Sequence, residues 1–218
     1  VLGQATGHGA VAVGPVEDTI VIKTERMRGI EIDREARTAR IEAGVRAMEL
    51  ATAAQDAGLC FLPGSSPNIG VTGYTLGGGL SWLGRRYGFA CNRVEAIEVV
   101  TADGQPRRVD RETEPELFWA MRGGGGSYAV VTALHLRLLP IAEAFAGALV
   151  FPAEVGTEAV RTYRDWAATA PEEITSRVRF LRPHRLDERG VRFDSRKQAA
   201  LLHERRRFPL PEPHQQRD

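Results

Sequence analysis

Three glycine-rich segments, each bounded by strand-like stretches, constrain this chain more than any other feature of its sequence. They are Thr6-Gly7-His8-Gly9, the span Gly64 to Gly79, and Gly123 to Gly126. Glycine in a loop lets the backbone approach a ligand closely and lets successive N–H groups point at one anion. One such loop is weak evidence, and glycines that serve only turns are the alternative. Three of them in one domain predict a long, phosphate-bearing cofactor that is contacted at several places.

The rest of the pattern predicts a protein with both strands and helices. Val45 to Ala57 has helical periodicity, and Gly58 suits the C-terminal cap of that helix. Residues 63–70 have the composition of a loop, and the chain stays glycine-rich through Gly79. Strands are predicted at 19–23, 29–33, 39–43, 95–101, 107–109 and 128–139, with a helix at 114–121. Beyond Phe145, a strand at 147–151, a helix at 157–169 and a strand at 176–181 predict one βαβ-like unit.

Charge and composition exclude several classes of partner. The chain has 29 basic and 28 acidic residues, so no binding to nucleic acid or to an anionic membrane is predicted. No apolar run approaches the roughly 20 residues that span a bilayer, so a cytoplasmic protein is expected, with an upstream targeting segment left open. Cys60 and Cys91 lack metal-ligand spacing and are expected to be small buried hydrophobic residues; no metal site is predicted.

Two common phosphate-binding folds do not fit the glycine pattern. No segment reads Gly-x-x-x-x-Gly-Lys-Ser/Thr, which excludes a P-loop. Gly77 to Gly79 and Gly123 to Gly126 lack the strand, fingerprint, helix and acidic residue that a Rossmann domain places in order. A nicotinamide-binding domain is therefore not predicted.

The motifs, taken together, resemble the FAD-binding domain of the vanillyl-alcohol oxidase/p-cresol methylhydroxylase superfamily. Within it, the berberine-bridge-enzyme-like and 6-hydroxynicotine-oxidase-like branch is the most similar. The motifs follow the family order over residues 1–140 and are Gln4–Gly9, Gly64–Gly73, Leu76–Gly79, Arg86–Ala90, Glu116–Gly125 and Ala129–Thr132. The resemblance implies an α+β fold, with a mixed sheet and flanking helices in the FAD-binding domain, followed by the start of a truncated α+β substrate domain.

The resemblance also implies which residues contact FAD. His8 stands where family members bind the flavin 8α-methyl group covalently through an imidazole nitrogen. Ser66 stands where some members carry a second anchoring cysteine, so a doubly linked flavin is not expected. Val130 is expected near the adenine. The other walls of the cofactor channel are expected at Thr6, Gly7, Gly9, Gly64, Ser65, Ser66, Pro67, Gly70, Thr72, Gly73, Gly77 and Gly78.

The resemblance covers only part of a family member. We expect an FAD-binding domain at 1–141 without its N-terminal subdomain, the beginning of the substrate domain at 142–182, and a disordered or non-native tail at 183–218. The implied function is FAD-dependent removal of a hydride from a C–H beside a hydroxyl or amine of a small molecule, with dioxygen as one candidate acceptor. No catalytic acid or base is assigned and the oligomeric state is left open. The alternatives are an inactive flavin-binding remnant and, from another class, an interaction module that uses the basic tail.

Overall fold

The computed structural model describes residues 1–10 and 17–180, and the tail predicted at 183–218 lies outside this part of the chain. The chain divides into two compact units. Unit 1 comprises Val1–Ala142 together with Pro171–Ser176, and the described residues of unit 2 are Glu143–Ala170 and 177–180. Among the described residues, no helix has the length and apolar character needed to cross a membrane.

A five-stranded antiparallel sheet forms the centre of unit 1. Its strands are β3 (Ile30–Asp33), β4 (Thr38–Glu42), β5 (Val94–Val100), β6 (Pro106–Asp110) and β7 (Val130–Arg137). Their order is β3-β4-β7-β5-β6, so the last strand in sequence lies in the middle. A separate two-stranded parallel sheet pairs β1 (Leu2–Gln4) with β2 (Val21–Lys23). The α+β class is confirmed, with the parallel and antiparallel pairings divided between two sheets.

Alternation of apolar and polar residues explains why these segments form strands. In β4, Ala39 and Ile41 are buried while their neighbours are partly exposed, as the period of two in a half-buried strand requires. In β5, a bulge shifts the register with β7 between Val94 and Ala96. The strands predicted within residues 1–140 are therefore confirmed, with ends that differ by one or two residues.

Helix α1 (Ala47–Asp56) covers the inner face of the sheet with Ala47, Leu50 and Ala54 buried. Its first turn is closed by Glu49, whose carboxylate accepts a hydrogen bond from the Arg46 N–H at 2.9 Å. It ends where predicted, because Gly58 adopts φ +70° and its N–H donates to the Gln55 carbonyl.

The glycine-rich span 64–79 is not all loop, which corrects the sequence prediction. Residues Val71–Leu76 form a short helix, α2, whose N-cap is Gly70 and which buries Val71, Thr72, Thr75 and Leu76. The buried positions have helical spacing, but glycine and β-branched residues have low helix propensity and hid the signal. Tertiary burial therefore decides the conformation of this segment.

Three further helical segments follow α2. Helix α3 (Gly84–Tyr87) is a single turn, and a 3₁₀ turn at Ala90–Arg93 leads into β5. Helix α4 (Pro115–Gly124) begins with proline and buries Phe118 and Met121. The helical path breaks at Arg122 and Gly123, whose φ is +111°, so the chain leaves α4 directly into the third glycine segment.

In unit 2, the helix is confirmed and the strands are not. Helix α5 (Gly156–Thr169) follows a 3₁₀ turn at Ala153–Val155. Residues 147–151 and 176–180 form no strand, and Leu181 lies outside the described residues. Their large apolar side chains are exposed, with Leu149 at 85% and Phe180 at 75%. A strand needs a neighbour to satisfy its backbone groups, and the described residues supply none here, so the predicted βαβ unit is wrong.

The outer face of the five-stranded sheet carries a row of charged side chains. The Arg40 guanidinium donates twice to the Glu98 carboxylate, at 2.8 and 2.7 Å, and the His135 Nε2 lies 2.7 Å from the same group. The hydrogen bonds from Arg40, and secondarily that from His135, outweigh partial burial and lower the pKa of Glu98 to about 2. Because this pKa is depressed, the stabilisation is present above the ordinary value of 4.5 and is lost as pH falls toward 2.

We expect Glu98→Gln to lower the free energy of unfolding at pH 7 by about 1–2 kcal/mol, because it removes one partner of a two-point ion pair. Chemical denaturation at pH 7 and at pH 3 measures the change, and the variant loses less stability on acidification than the parent. Glu31→Gln is the matched control, because the Glu31 side chain is 73% exposed and makes a single, longer contact of 3.4 Å with Arg40. Equal losses for the two variants would contradict the assignment.

Candidate functional site

The first two glycine segments meet at Gly70. The Gly70 N–H donates to the Thr6 hydroxyl at 3.1 Å, across 64 positions of sequence. Gly70 is buried, and a Cβ on it would lie 3.0 Å from the Ala5 Cβ, so the two backbones are close only because residue 70 is glycine. The segment 64–70 is thereby held beside the turn that carries His8.

Backbone hydrogen bonds also fix the second segment to the start of α1. The Met48 N–H donates to the Pro67 carbonyl and the Ala47 N–H to the Ile69 carbonyl, both at 2.9 Å. The Val71 N–H donates to the Val45 carbonyl, also at 2.9 Å. This loop is therefore anchored to the core by main-chain contacts that depend little on its own side chains.

The third glycine segment joins the end of α2. The Gly125 N–H donates to the Leu76 carbonyl at 2.9 Å, and the Cys91 N–H donates to the Gly78 carbonyl at 3.0 Å. The three segments predicted to contact one cofactor thus adjoin one another around α2, the helix that the sequence prediction missed.

Several of the predicted channel residues are on the surface. His8 is exposed in a tight turn that the Ala10 N–H closes onto the Gly7 carbonyl at 3.0 Å. Among the residues that the structure describes, no partner contacts its imidazole. Gly9, Ser65, Pro67, Gly73 and Gly77 are also exposed, whereas Thr6, Gly7, Gly64, Ser66 and Gly78 are half-buried and Gly70 and Thr72 are buried.

Three buried side-chain polar atoms in the described part of the chain have no hydrogen-bond partner. They are Thr72 Oγ1, Tyr74 Oη and Arg122 Nε. Two lie in α2 and the third precedes the third glycine segment, where the Arg122 guanidinium stacks over the Phe118 ring at 4.5 Å. A buried polar atom without a partner costs about 1–3 kcal/mol, so these atoms are candidates for contact with a ligand.

The glycine segments carry no formal charge. Residues 6–9, 64–79 and 123–126 contain no Asp, Glu, Lys or Arg, and their titratable side chains are those of His8 and Tyr74. Any anion bound there would be held by N–H and hydroxyl donors. Two surface concavities, of about 530 and 430 Å³, share Arg93 and Arg137 and contain no residue of the glycine segments, so they are separate from this site.

The remaining residues discussed from the sequence lie nearby or in the core. Val130 is half-buried as the first residue of β7, four positions after Gly126, and pairs with Val100. Both cysteines are free: Cys91 is buried, and Cys60 is partly buried. Burial raises the pKa of the Cys60 thiol. Neither cysteine belongs to the segment around Ser66.

Comparison with known proteins assigns this arrangement to a family. The family model described as an FAD binding domain matches residues 1–110, half of the chain. The chain belongs to this FAD-binding family. The predicted resemblance to the vanillyl-alcohol oxidase type is thereby confirmed, since the solved structures it matches include flavoproteins of that type.

Individual members of the FAD-binding family show how much of a whole enzyme this chain represents. It is 30% identical to the uncharacterized FAD-linked oxidoreductase YgaK of Bacillus subtilis over 74% of this chain and 37% of that protein. It matches 6-hydroxy-D-nicotine oxidase of Arthrobacter nicotinovorans with a TM-score of 0.60 and 33% identity, over 63% and 30% of the two chains. A VAO-type flavoprotein of Myceliophthora thermophila matches with a TM-score of 0.58 and 31% identity, over 63% of this chain and 27% of that protein. The chain spans about a third of the length of these relatives.

Two glycines of the second glycine segment differ sharply in what a side chain would meet. A Cβ on Gly79, whose φ is +74°, would lie 2.6 Å from the Ala90 Cβ, whereas a Cβ on Gly73 in α2 would meet nothing within 4 Å. We expect Gly79→Ala to lower the free energy of unfolding by about 2 kcal/mol or more, and Gly73→Ala to raise it by up to about 1 kcal/mol. Urea denaturation measures both, and a Gly79→Ala protein as stable as its parent would contradict the close packing.

Proposed function

We propose that this chain is the cofactor-binding part of an FAD-dependent oxidoreductase that removes a hydride from a C–H beside a hydroxyl or amine of a small molecule. The observation that carries the proposal is the pair of unpaired buried polar atoms beside the glycine segments, Thr72 Oγ1 and Arg122 Nε. A family of FAD-binding domains supplies the ligand class that this surface fits.

The residues present suit FAD in their chemistry. Its diphosphate carries two negative charges, and an uncharged, glycine-rich surface offers N–H groups that can approach it closely. Thr72 offers a buried hydroxyl that lacks a partner among the described residues. We assign the channel to Thr6, Gly7, Gly9, Gly64, Ser65, Ser66, Pro67, Gly70, Thr72, Gly73, Gly77 and Gly78, and place Val130 near the adenine.

His8 is proposed as the covalent anchor. Its ring is exposed, sits between two glycines, and has no partner in the described part of the chain, so an imidazole nitrogen is accessible for bond formation. Ser66 supplies a hydroxyl instead of a thiol in the second segment, so a single bond to the protein is expected. When bound, the flavin supplies the redox chemistry, and the chain's part is to hold and orient it.

The substrate is proposed only as a class. Alcohols, sugars and amines all present the required C–H, and a solved relative is named for its oxidation of a hydroxylated nicotine. The chain spans about a third of the length of its relatives, so we propose that the catalytic acid or base and most of the substrate pocket belong to a substrate domain, of which 142–182 is the beginning. Dioxygen is the proposed electron acceptor.

The covalent bond can be tested directly. We expect the purified chain, produced with excess FAD, to absorb near the flavin bands and to retain that absorbance in the pellet after acid precipitation, because the imidazole bond survives unfolding. Mass spectrometry of the proteolytic peptide that contains His8 then gains the mass of FAD. The His8→Ala variant is the control, and its flavin is released to the supernatant.

The outcomes separate the parts of the proposal. Flavin that is bound but fully released by acid from the parent protein would contradict the covalent anchor and leave FAD binding intact. A colourless protein that takes up no added FAD would contradict binding by this chain and favour the inactive remnant.

The role of Thr72 gives a second test. We expect Thr72→Val to leave the apoprotein as stable as the parent or stabilise it by up to about 1 kcal/mol, because the variant removes a buried hydroxyl without a partner. The affinity for FAD is expected to fall about fivefold to tenfold, as for the loss of one hydrogen bond. Fluorescence titration with FAD in a His8→Ala background, where no covalent bond forms, and thermal unfolding measure the two effects. Thr38→Val, at the start of β4 and away from the segments, is the control; an equal effect on affinity there would contradict the role.

A further inference from the structure

Tyr74 lies between the two halves of the second glycine segment. It belongs to α2, and its ring is in contact with the backbone on both sides. A Cβ on Gly64 would lie 2.9 Å from Tyr74 Cε2, and one on Gly79 would lie 3.0 Å from Tyr74 Cε1. Opposite edges of one ring therefore touch the beginning and the end of the glycine-rich span.

The ring is held from behind by a small apolar cluster. Leu62, Ala90 and Leu139 are its buried members, and Tyr74 packs against them together with Leu83 and Tyr87. This cluster is distinct from the main core beneath the sheet. The ring consequently cannot move away from one glycine without pressing on the other or on Ala90, which itself lies against Gly79.

The hydroxyl of Tyr74 contributes little to this packing. Its oxygen is buried and makes no hydrogen bond of normal geometry among the described residues, although the Ser81 hydroxyl is close. Burial is the main cause that raises the pKa of Tyr74 to about 12, so the phenol is neutral at physiological pH. The aromatic ring, and not a charge or a hydrogen bond, is the part of the side chain that contacts both glycines.

We propose that Tyr74 is a positioning residue whose ring sets the separation between the Gly64 loop and the Gly79 turn, and thereby the affinity of the site for FAD. The proposal rests on the proposed function for its cofactor. The end of the loop at 64–70 is anchored by hydrogen bonds at Pro67, Ile69 and Gly70. Its beginning is held by the Tyr74 ring against Gly64 and by one longer hydrogen bond, from the Trp82 N–H to the Pro63 carbonyl at 3.2 Å. Loss of the ring therefore leaves this side of the loop with that single main-chain hydrogen bond.

A double-mutant cycle tests the contact without any cofactor. In the parent protein, Gly64→Ala places a methyl group 2.9 Å from the ring and lowers the Tm. In a Tyr74→Leu background the methyl group has room, so the same substitution raises the unfolding equilibrium constant far less. We expect a coupling of about fivefold or more in the unfolding equilibrium constant between the two sites. Additive effects would overturn the proposal.

FAD titration in a His8→Ala background, where no covalent bond forms, tests the consequence. We expect Tyr74→Leu to weaken FAD binding about tenfold or more, because a site must be held to within roughly 0.5 Å to keep its contacts. Tyr74→Phe keeps the ring, so it binds FAD within about twofold of the parent and melts at the same or a higher temperature. Val109→Ala, in the main core on β6, is the stability control: it lowers the Tm without weakening FAD binding.

Each result decides a different statement. Equal affinities for the parent and Tyr74→Leu, or a loss for Tyr74→Phe as large as that for Tyr74→Leu, would overturn the positioning role of the ring. A parent chain that binds no FAD would contradict the proposed function instead, and the double-mutant cycle would still decide whether the ring sets the loop separation.

Discussion

The pairing of β7 between β4 and β5 is the constraint on which the rest of unit 1 depends. The β3–β4 and β5–β6 hairpins are each local in sequence, and β7 joins them into one sheet. This arrangement creates the inner face on which α1, α2 and α4 pack. The second glycine segment contains α2 and the third ends α4, so their meeting follows from a pairing that contains neither of them. The first segment follows β1 of the smaller sheet and joins them through the Thr6–Gly70 hydrogen bond.

The ion pairs on the outer face of the sheet contain no residue of the glycine segments, and Arg122 is the charged residue that adjoins the third segment. On the outer face of the sheet, Arg40 and His135 both form hydrogen bonds with the Glu98 carboxylate, so these groups have their partners within the protein. The glycine segments carry no formal charge. A surface of this kind can bind a diphosphate through oriented N–H groups without a bound counter-ion, because each dipole contributes a partial positive charge at short range. Binding through such dipoles depends on the geometry of the loops, because each N–H group must point at the diphosphate from a short distance.

The sequence predicted the strands and α1 because their signals are local. Alternation in β4 and the apolar stripe ending at Gly58 each follow from which side chains face the core. Helix α2 could not be predicted in the same way: its glycines and threonines disfavour a helix, and it forms because Val71 and Leu76 reach the core. The strand predicted at 147–151 failed for the opposite reason, since its β-branched and aromatic residues have no neighbouring strand in the described chain.

The sequence indicated which residues form the candidate site, but it did not indicate how those residues come together. Glycine spacing and the family resemblance named the three segments, but the Thr6–Gly70 hydrogen bond and the position of Tyr74 depend on residues far apart in sequence. Local rules are also broken where these segments meet, because Gly78 and Gly79 have positive φ and Thr72 and Tyr74 bury hydroxyls without partners. A fold tolerates such costs when the core supplies the stability and a ligand completes the site. The same surface therefore combines a main-chain frame, fixed by hydrogen bonds to the start of α1, with buried polar groups that have no partner among the described residues.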